Sequence, residues 1–163
     1  MADAREMQFQ QDIIDNLLAS GWLLGKSEAY NRELAIYPED VIAYVQDTQL
    51  EQWDKLAKHF PHGADTAFLN TVGNWLDKKG TLWVLRNALK DRGARFQLCT
   101  FKPDHNLNPE LSERYAKNRL RVVPELIYSP NDYEGRLDLT LFVNGLPVLH
   151  ILVFGVIQRL LEL

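Results

Sequence analysis

The segment from Leu137 to Val148 constrains the fold more tightly than any other part of the chain. It contains Asn144-Gly145, the dipeptide that most often joins two antiparallel strands, because both residues tolerate a positive φ. The segment therefore predicts a β-hairpin with strands at 136–143 and 147–154. The first strand carries one acid, Asp138, among apolar neighbours, and a carboxylate in that setting needs a cationic partner.

Two kinds of partner would neutralise Asp138. One is a magnesium ion, because strand-borne carboxylates hold Mg²⁺ in many nucleases. The other is an arginine, and Arg119, Arg121 and Arg136 are the candidates. Arg119 and Arg121 lie two apart on an extended run and share one face. This spacing suits a DNA phosphate clamp, and the alternatives are a solvated face or a pairing with an aspartate.

The remaining elements follow from hydrophobic spacing and from turn residues. Helices are predicted over 7–20, 38–48, 50–60, 65–79, 81–90 and about 108–117. A strand is predicted over 95–101, and an extended run begins at Leu120, which Pro124 either ends or confines to a sheet edge. The order of these elements predicts a mixed α/β (α+β) fold, with helices packed on one small mixed sheet.

Composition limits the possible environments and partners. A length of 163 residues suits one domain. The net charge of −4 argues against nucleic acid, but residues 86–121 carry nine bases and four acids. If the chain meets a phosphate backbone, we expect it there, and the alternative is a solvated basic face with no partner. One cysteine, Cys99, cannot form an internal disulfide, and this favours the reducing cytoplasm. The longest apolar stretch, Leu146 to Ile157, has 12 residues, which is too short to span a bilayer.

Further motifs stand in order along the chain, at Asn31–Pro38, Gly80–Arg86, Asp91–Phe96, Phe101–Pro109 and Asn118–Val123. Together with the hairpin they resemble the N-terminal region of the R (restriction) subunit of type I restriction–modification enzymes. The resemblance covers about residues 8–150. It implies a restriction-endonuclease-like core of the PD-(D/E)XK type.

The resemblance also implies an activity and partners. In this family the domain performs Mg²⁺-dependent cleavage of double-stranded DNA, after motor domains of the same subunit have translocated the duplex using ATP. The modification and specificity subunits are the expected protein partners, and the specificity subunit reads the DNA sequence. The present chain contains no Gly-x-x-x-x-Gly-Lys-Ser/Thr motif, so we expect it to bind no ATP.

The catalytic set of the family is incomplete in this sequence. Asp138 matches the family's catalytic, metal-binding aspartate on the first hairpin strand. The family's Glu-x-Lys on the second strand would fall on Leu152 and Phe154. Gln10 stands in the first helix, where the family often has an acid. We therefore expect a domain that keeps the fold and has lost cleavage.

Three interpretations of the whole chain follow. The first divides it into a nuclease-like domain at 1–155, with a core incomplete at its C-terminus, and a divergent tail at 156–163. A frameshift or truncation from about Leu149 would explain that tail. The second is a non-catalytic module that binds DNA or the modification and specificity subunits. The third is an active nuclease with a relocated acid and base, for example Glu33 with Lys102.

Overall fold

The computed structural model describes residues 4–105, 107–129, 131 and 135–153. Within these residues the chain forms six α-helices, one short 3₁₀ helix and six strands. In chain order they are α1 (Ala4–Ala19), β1 (Leu23–Leu24), a 3₁₀ helix (Ser27–Ala29), α2 (Pro38–Thr48), α3 (Leu50–Ala57), α4 (Ala64–Lys79), α5 (Thr81–Arg86), β2 (Leu89–Asp91), β3 (Ala94–Phe96), α6 (Pro109–Ala116), β4 (Leu120–Ile127), β5 (Arg136–Val143) and β6 (Leu146–Ile151).

Four of the strands form one mixed sheet in the order β1-β4-β5-β6. The pairing of β1 with β4 is parallel, whereas β4, β5 and β6 pair antiparallel. Strands β2 and β3 form a separate antiparallel pair. Helices next to a mixed sheet confirm the predicted mixed α/β class, and the predicted hairpin is the β5–β6 pair.

Successive residues of the sheet point to opposite faces, as the two-residue period of a strand requires. On one face Val122 packs in a buried cluster with Ile14 of α1. On the other face Val123 lies in a cluster with Phe142 and Tyr37. The Tyr37 and Phe142 rings meet edge to face, with their centroids 5.8 Å apart. Both faces of the central strands are therefore covered.

The largest buried cluster lies among helices α2 to α5 and strands β2 and β3. Its fully buried side chains include Tyr44, Leu56, Phe68 and Phe96. Leu146, the first residue of β6, belongs to the same cluster. The end of the hairpin that carries the turn therefore packs against the helices.

Local sequence signals predicted several helix boundaries correctly. Helix α2 begins at Pro38 and ends at Thr48, as predicted, with Pro at its first turn and two acids near its positive N-terminal dipole. Helix α6 begins after Asn108, whose side chain accepts a hydrogen bond from the Leu111 amide. The break between α4 and α5 falls at Gly80, which has a φ of 80°.

Several predicted elements are shorter than expected. The helix predicted over 50–60 ends at Ala57, and the second hairpin strand, predicted over 147–154, ends at Ile151. The helix predicted over 81–90 ends at Arg86, and β2 occupies Leu89–Asp91. Asn87 turns extended at the helix end and donates its side-chain amide to the Trp83 carbonyl, 2.9 Å away. The strand predicted over 95–101 spans only Ala94–Phe96, because its partner β2 offers three residues for pairing.

The sheet also contains an element that the sequence did not predict. Strand β1 is two residues long, too short for any periodic signal, and it pairs with Arg121 and Val122. Because β1 ends there, β4 continues with one neighbouring strand, and Pro124 lies within it opposite Leu139. Pro124 does not end the strand; the missing amide is tolerated where β4 has become an edge.

Candidate functional site

Asp138 lies in β5 and is half-buried. Its Oδ2 accepts a hydrogen bond from the Val153 amide at 2.6 Å. Its backbone carbonyl accepts one from Nε2 of Gln10, in α1, at 3.1 Å. No ion pair of the described residues includes Asp138, so the arginine partner considered from sequence is not observed there.

The strand register places two residues beside Asp138. Pairing of Leu139 with Pro124 and of Leu137 with Leu126 brings Glu125 next to it on β4. Glu125 adopts a left-handed φ of 49° and is exposed. Its Oε1 accepts a hydrogen bond from Nε2 of Gln10 at 3.3 Å. Gln10, which stands where the family often has an acid, therefore links the two neighbouring strands.

The other neighbour of Asp138 is apolar. Leu139 pairs with Ile151, the last residue of β6, and continuing this register one residue past the end of the strand sets Leu152 across from Asp138. Leu152 is 58% exposed. This is the position where the resemblance to the family calls for an acid. Phe154 and the tail predicted at 156–163 lie outside the described residues.

A magnesium ion at Asp138 stays a prediction, and the described side chains around it show which ligands would be available. Mg²⁺ takes near-octahedral oxygen ligands and depends on converging carboxylates for its protein contacts. Here one Asp138 oxygen accepts a backbone hydrogen bond, and Glu125 is the one acid beside it in the register. In the part of the chain that the structure describes, no three His, Cys, Asp or Glu side chains are grouped to hold a metal.

Arg119 and Arg121 converge on one buried carboxylate, that of Asp40 in the first turn of α2. Asp40 is fully buried. Its Oδ1 accepts hydrogen bonds from Arg119 Nε at 2.7 Å and from a terminal nitrogen of Arg121 at 2.8 Å. Its Oδ2 accepts one from Arg121 Nε at 2.6 Å. These three charge-assisted bonds fix the start of α2 against β4.

Arg121 has further partners inside the fold. It donates to the Leu24 carbonyl at 3.1 Å, and its guanidinium carbon lies 4.5 Å from the centroid of the Tyr37 ring. Its hydrogen bonds with Asp40 raise the pKa of Arg121 above its usual value. Pairing with an aspartate was one alternative to the phosphate clamp. A DNA-binding role for Arg119 and Arg121 stays a prediction.

Sequence reasoning did not identify Asp40 as the partner of the two arginines. In the sequence it is one of two acids after Pro38, which dipole arguments already explain. The available signal was the pair of arginines two residues apart, which needs a counter-charge if the strand is buried. Nothing local indicates which acid, since Asp40 and Arg119 are 79 residues apart.

Hydrogen bonds hold the hairpin turn to three other parts of the chain. Asn144 is buried, and its Oδ1 accepts a hydrogen bond from the Arg119 amide at 2.6 Å. Its Nδ2 donates to the Leu98 carbonyl at 2.9 Å. The Gly145 carbonyl accepts one from the Tyr37 amide at 2.8 Å. The turn thus positions β5, and with it Asp138, relative to α2 and β4.

The proposed relocated pair is not brought to Asp138 by any observed bond. Glu33 and Lys102 are both exposed. Among the hydrogen bonds and ion pairs of the described residues, none connects either side chain with Asp138. An active site built from these three residues therefore has no observed contact in its favour.

A mixed α/β domain with an aspartate on its central hairpin is consistent with a nuclease-like fold. A family model described as the type I restriction enzyme R protein N terminus matches residues 4–151, and the chain belongs to this family. The resemblance seen in the sequence is thereby confirmed. No curated protein and no solved structure matches the chain. None of the described helices has the length and apolar character needed to cross a membrane.

Proposed function

We propose that this chain is an R-subunit N-terminal domain of the DNA-cleavage type that does not itself cleave DNA. The observation that carries the proposal is the residue across from Asp138. Continuing the register one residue past the end of β6 sets Leu152 there, and its side chain offers no oxygen to a metal. Asp138 is left with Glu125 on its other side and with one oxygen bonded to the Val153 amide.

The chemistry explains why this residue matters. Hydrolysis of a phosphodiester needs a group that polarises the phosphate and a water acidic enough to attack it. In the family a Mg²⁺ ion supplies both effects when it is held between the Asp and the Glu, and a lysine offsets the developing negative charge. Asp138 with Leu152 across from it provides one of the two carboxylates.

The first prediction concerns cleavage. We expect the purified chain with Mg²⁺ or Mn²⁺ to leave supercoiled plasmid intact over hours, and to be indistinguishable from Asp138→Ala, because neither protein has the family's pair of carboxylates on the two hairpin strands. Agarose gels that separate supercoiled, nicked and linear forms provide the measurement. Nicking or linearisation by the chain that is absent with Asp138→Ala would overturn the proposal.

A variant that should gain metal binding tests the proposal in the opposite direction. Leu152→Glu places a carboxylate across from Asp138, and we expect it to bind Mn²⁺ more tightly than the parent chain in calorimetry. Leu149→Glu is the matched control, because it adds the same charge to β6 opposite Leu141. Equal Mn²⁺ binding by both variants would show that the place across from Asp138 is not special. Phe154→Lys added to Leu152→Glu completes the family's set.

A second candidate is a non-catalytic module that associates with DNA or with the modification and specificity subunits. The observation in its favour is that the contacts holding the fold, from Asp40 to the two arginines and from the turn to Tyr37, use no catalytic group. Co-purification of the chain with the modification and specificity subunits of a type I complex tests this candidate. ATP would act in such a complex through the motor domains.

A further inference from the structure

A cleft of about 440 Å³ is lined by residues of α3, α5, β3 and α6 and of the segments next to them, and Asp138 is not one of its lining residues. Three arginines line it, and each comes from a different element. Arg86 lies in the last turn of α5, Arg95 lies on β3, and Arg114 lies in the last turn of α6. None of the described residues that line this cleft is an aspartate or a glutamate. Three positive charges have therefore been brought together without a counter-charge.

Carboxamide side chains fix the wall from which these arginines project. Gln49 accepts from the Gln97 amide at 2.7 Å and donates to the Gln97 carbonyl at 2.9 Å, so it mimics a strand partner. Gln52 accepts from the Arg95 amide at 3.0 Å. These bonds hold β3 against the start of α3 and set the direction of Arg95. The wall is thus neutral, polar and built by specific contacts.

The arginines of this cleft differ from the pair that binds Asp40. Within the part of the chain that the structure describes, no ion pair includes Arg86, Arg95 or Arg114. Arg114 Nε is buried without a hydrogen-bond partner, the one buried side-chain nitrogen or oxygen in that condition among the described residues. A buried charged donor is costly to leave unsatisfied. The cleft therefore lacks an acceptor that an anion would supply.

We propose that the cleft of Arg86, Arg95 and Arg114 binds the phosphodiester backbone of duplex DNA. Guanidinium groups form forked hydrogen bonds with phosphate oxygens, and arginine is preferred where such planar contacts matter. All three arginines belong to residues 86–121, where nine bases outnumber four acids. The polyanion is named from the proposed function, since DNA is the substrate of this family.

The cleft would position DNA and would not read its sequence. Phosphate contacts carry no base information, and each one releases counterions from the duplex. Binding should therefore fall steeply with salt and should be similar for unrelated sequences. Arg86 and Arg95 are exposed, so their substitution should leave the fold intact.

Fluorescence anisotropy of a labelled duplex, with the full chain in EDTA, tests the proposal. We expect Arg86→Gln/Arg95→Gln to bind about tenfold or more weakly, since charged hydrogen bonds are lost. The slope of log K against log salt should become shallower by about 0.9 for each lost phosphate contact. Two unrelated duplexes should lose affinity equally. Arg5→Gln, on the exposed surface of α1, is the matched control and should bind like the parent.

Several results would overturn the proposal. One is that Arg86→Gln/Arg95→Gln keeps the DNA affinity and the salt slope of the parent. Another is that Arg5→Gln loses as much DNA affinity as the double variant. A third is polyglutamate competing as well as DNA of the same charge, because that would indicate an acidic protein segment as the ligand. A fourth is saturation of the cleft by millimolar inorganic phosphate without any binding of the duplex.

The DNA-binding experiment does not depend on whether the chain cleaves DNA. Binding is measured without a divalent metal, so an active or an inactive Asp138 gives the same outcome. A chain that binds DNA equally well with and without the cleft arginines would refute the cleft and leave the proposed function standing. Arg114→Gln is a second variant, accepted only if its circular dichroism and melting match the parent, and it should weaken binding in the same direction.

Discussion

At the scale of single residues, Asp40 decides how the sheet and the helices meet. Its fully buried carboxylate accepts three hydrogen bonds from two arginines, so the two arginines share one hydrogen-bonded counter-charge. Removing one member of such a buried set costs far more than the set itself contributes, because the remaining charge stays buried and unpaired. Arg121, at 6% exposure, is the charge that would be left.

Asp40→Asn is therefore expected to be strongly destabilising. The neutral amide leaves the Arg121 guanidinium without its counter-charge, and we expect the free energy of unfolding to fall by about 3 to 5 kcal/mol. Urea denaturation followed by circular dichroism measures this. Glu39→Gln is the control, because Glu39 is the neighbouring acid, is exposed and lies 3.5 Å from the same arginines, so its loss should stay below about 1 kcal/mol. Equal losses in the two variants would contradict the argument.

At the scale of elements, the hairpin turn is a docked structure and not a free loop. Gly145 has a φ of 82°, and a Cβ placed there would lie 2.5 Å from the Tyr37 carbonyl oxygen and 2.9 Å from the Val41 amide nitrogen. Both atoms belong to backbone that the first turn of α2 holds in place. The glycine is thus required by the turn and also by the close approach of the helix.

Gly145→Ala should separate these two requirements when it is compared with Gly93→Ala. Gly93 has almost the same φ, 81°, but a Cβ there would meet nothing within 4 Å. We expect about 1 kcal/mol of destabilisation for Gly93→Ala, from backbone strain alone. Gly145→Ala should cost at least about 2 kcal/mol more, because the strain is joined by a clash in a close-packed region. Thermal melting of both variants provides the measurement, and similar melting temperatures would show that the α2 contact is soft.

The same elements show what a sequence can and cannot reveal. Helix α2 and the β5–β6 hairpin were predicted because their signals, Pro38 with its acids and Asn144-Gly145, act within a few residues. Strand β1 was missed because two residues carry no period, and its place depends on Arg121, far along the chain. The partner of the arginines was missed for the same reason. Long-range contacts decide such features, and no local pattern encodes them.

At the scale of the whole molecule, the sheet joins two packed regions. The first region is the buried cluster in which Ile14 of α1 packs on the sheet. The second region is the large buried cluster among α2 to α5. Strand β4 contributes Val122 to the first region. Its Arg121, together with Arg119 just before the strand, bonds to Asp40 at the edge of the second region. Because the same strand serves both, neither region should lose its structure while the other remains folded.

The last prediction tests this coupling and, with it, the assignment of the described residues to one domain. Trp22 packs on the α1 side, whereas Trp53, Trp75 and Trp83 belong to the large cluster, so Trp22→Phe leaves a fluorescence signal from that cluster alone. We expect urea midpoints from this fluorescence and from far-ultraviolet circular dichroism of the same variant to coincide, as two-state unfolding requires. The circular dichroism midpoint of the parent is the control for Trp22→Phe itself. A circular dichroism change that precedes the fluorescence transition would mean that α1 and its cluster unfold separately, and that the bonds to Asp40 do not couple the two regions.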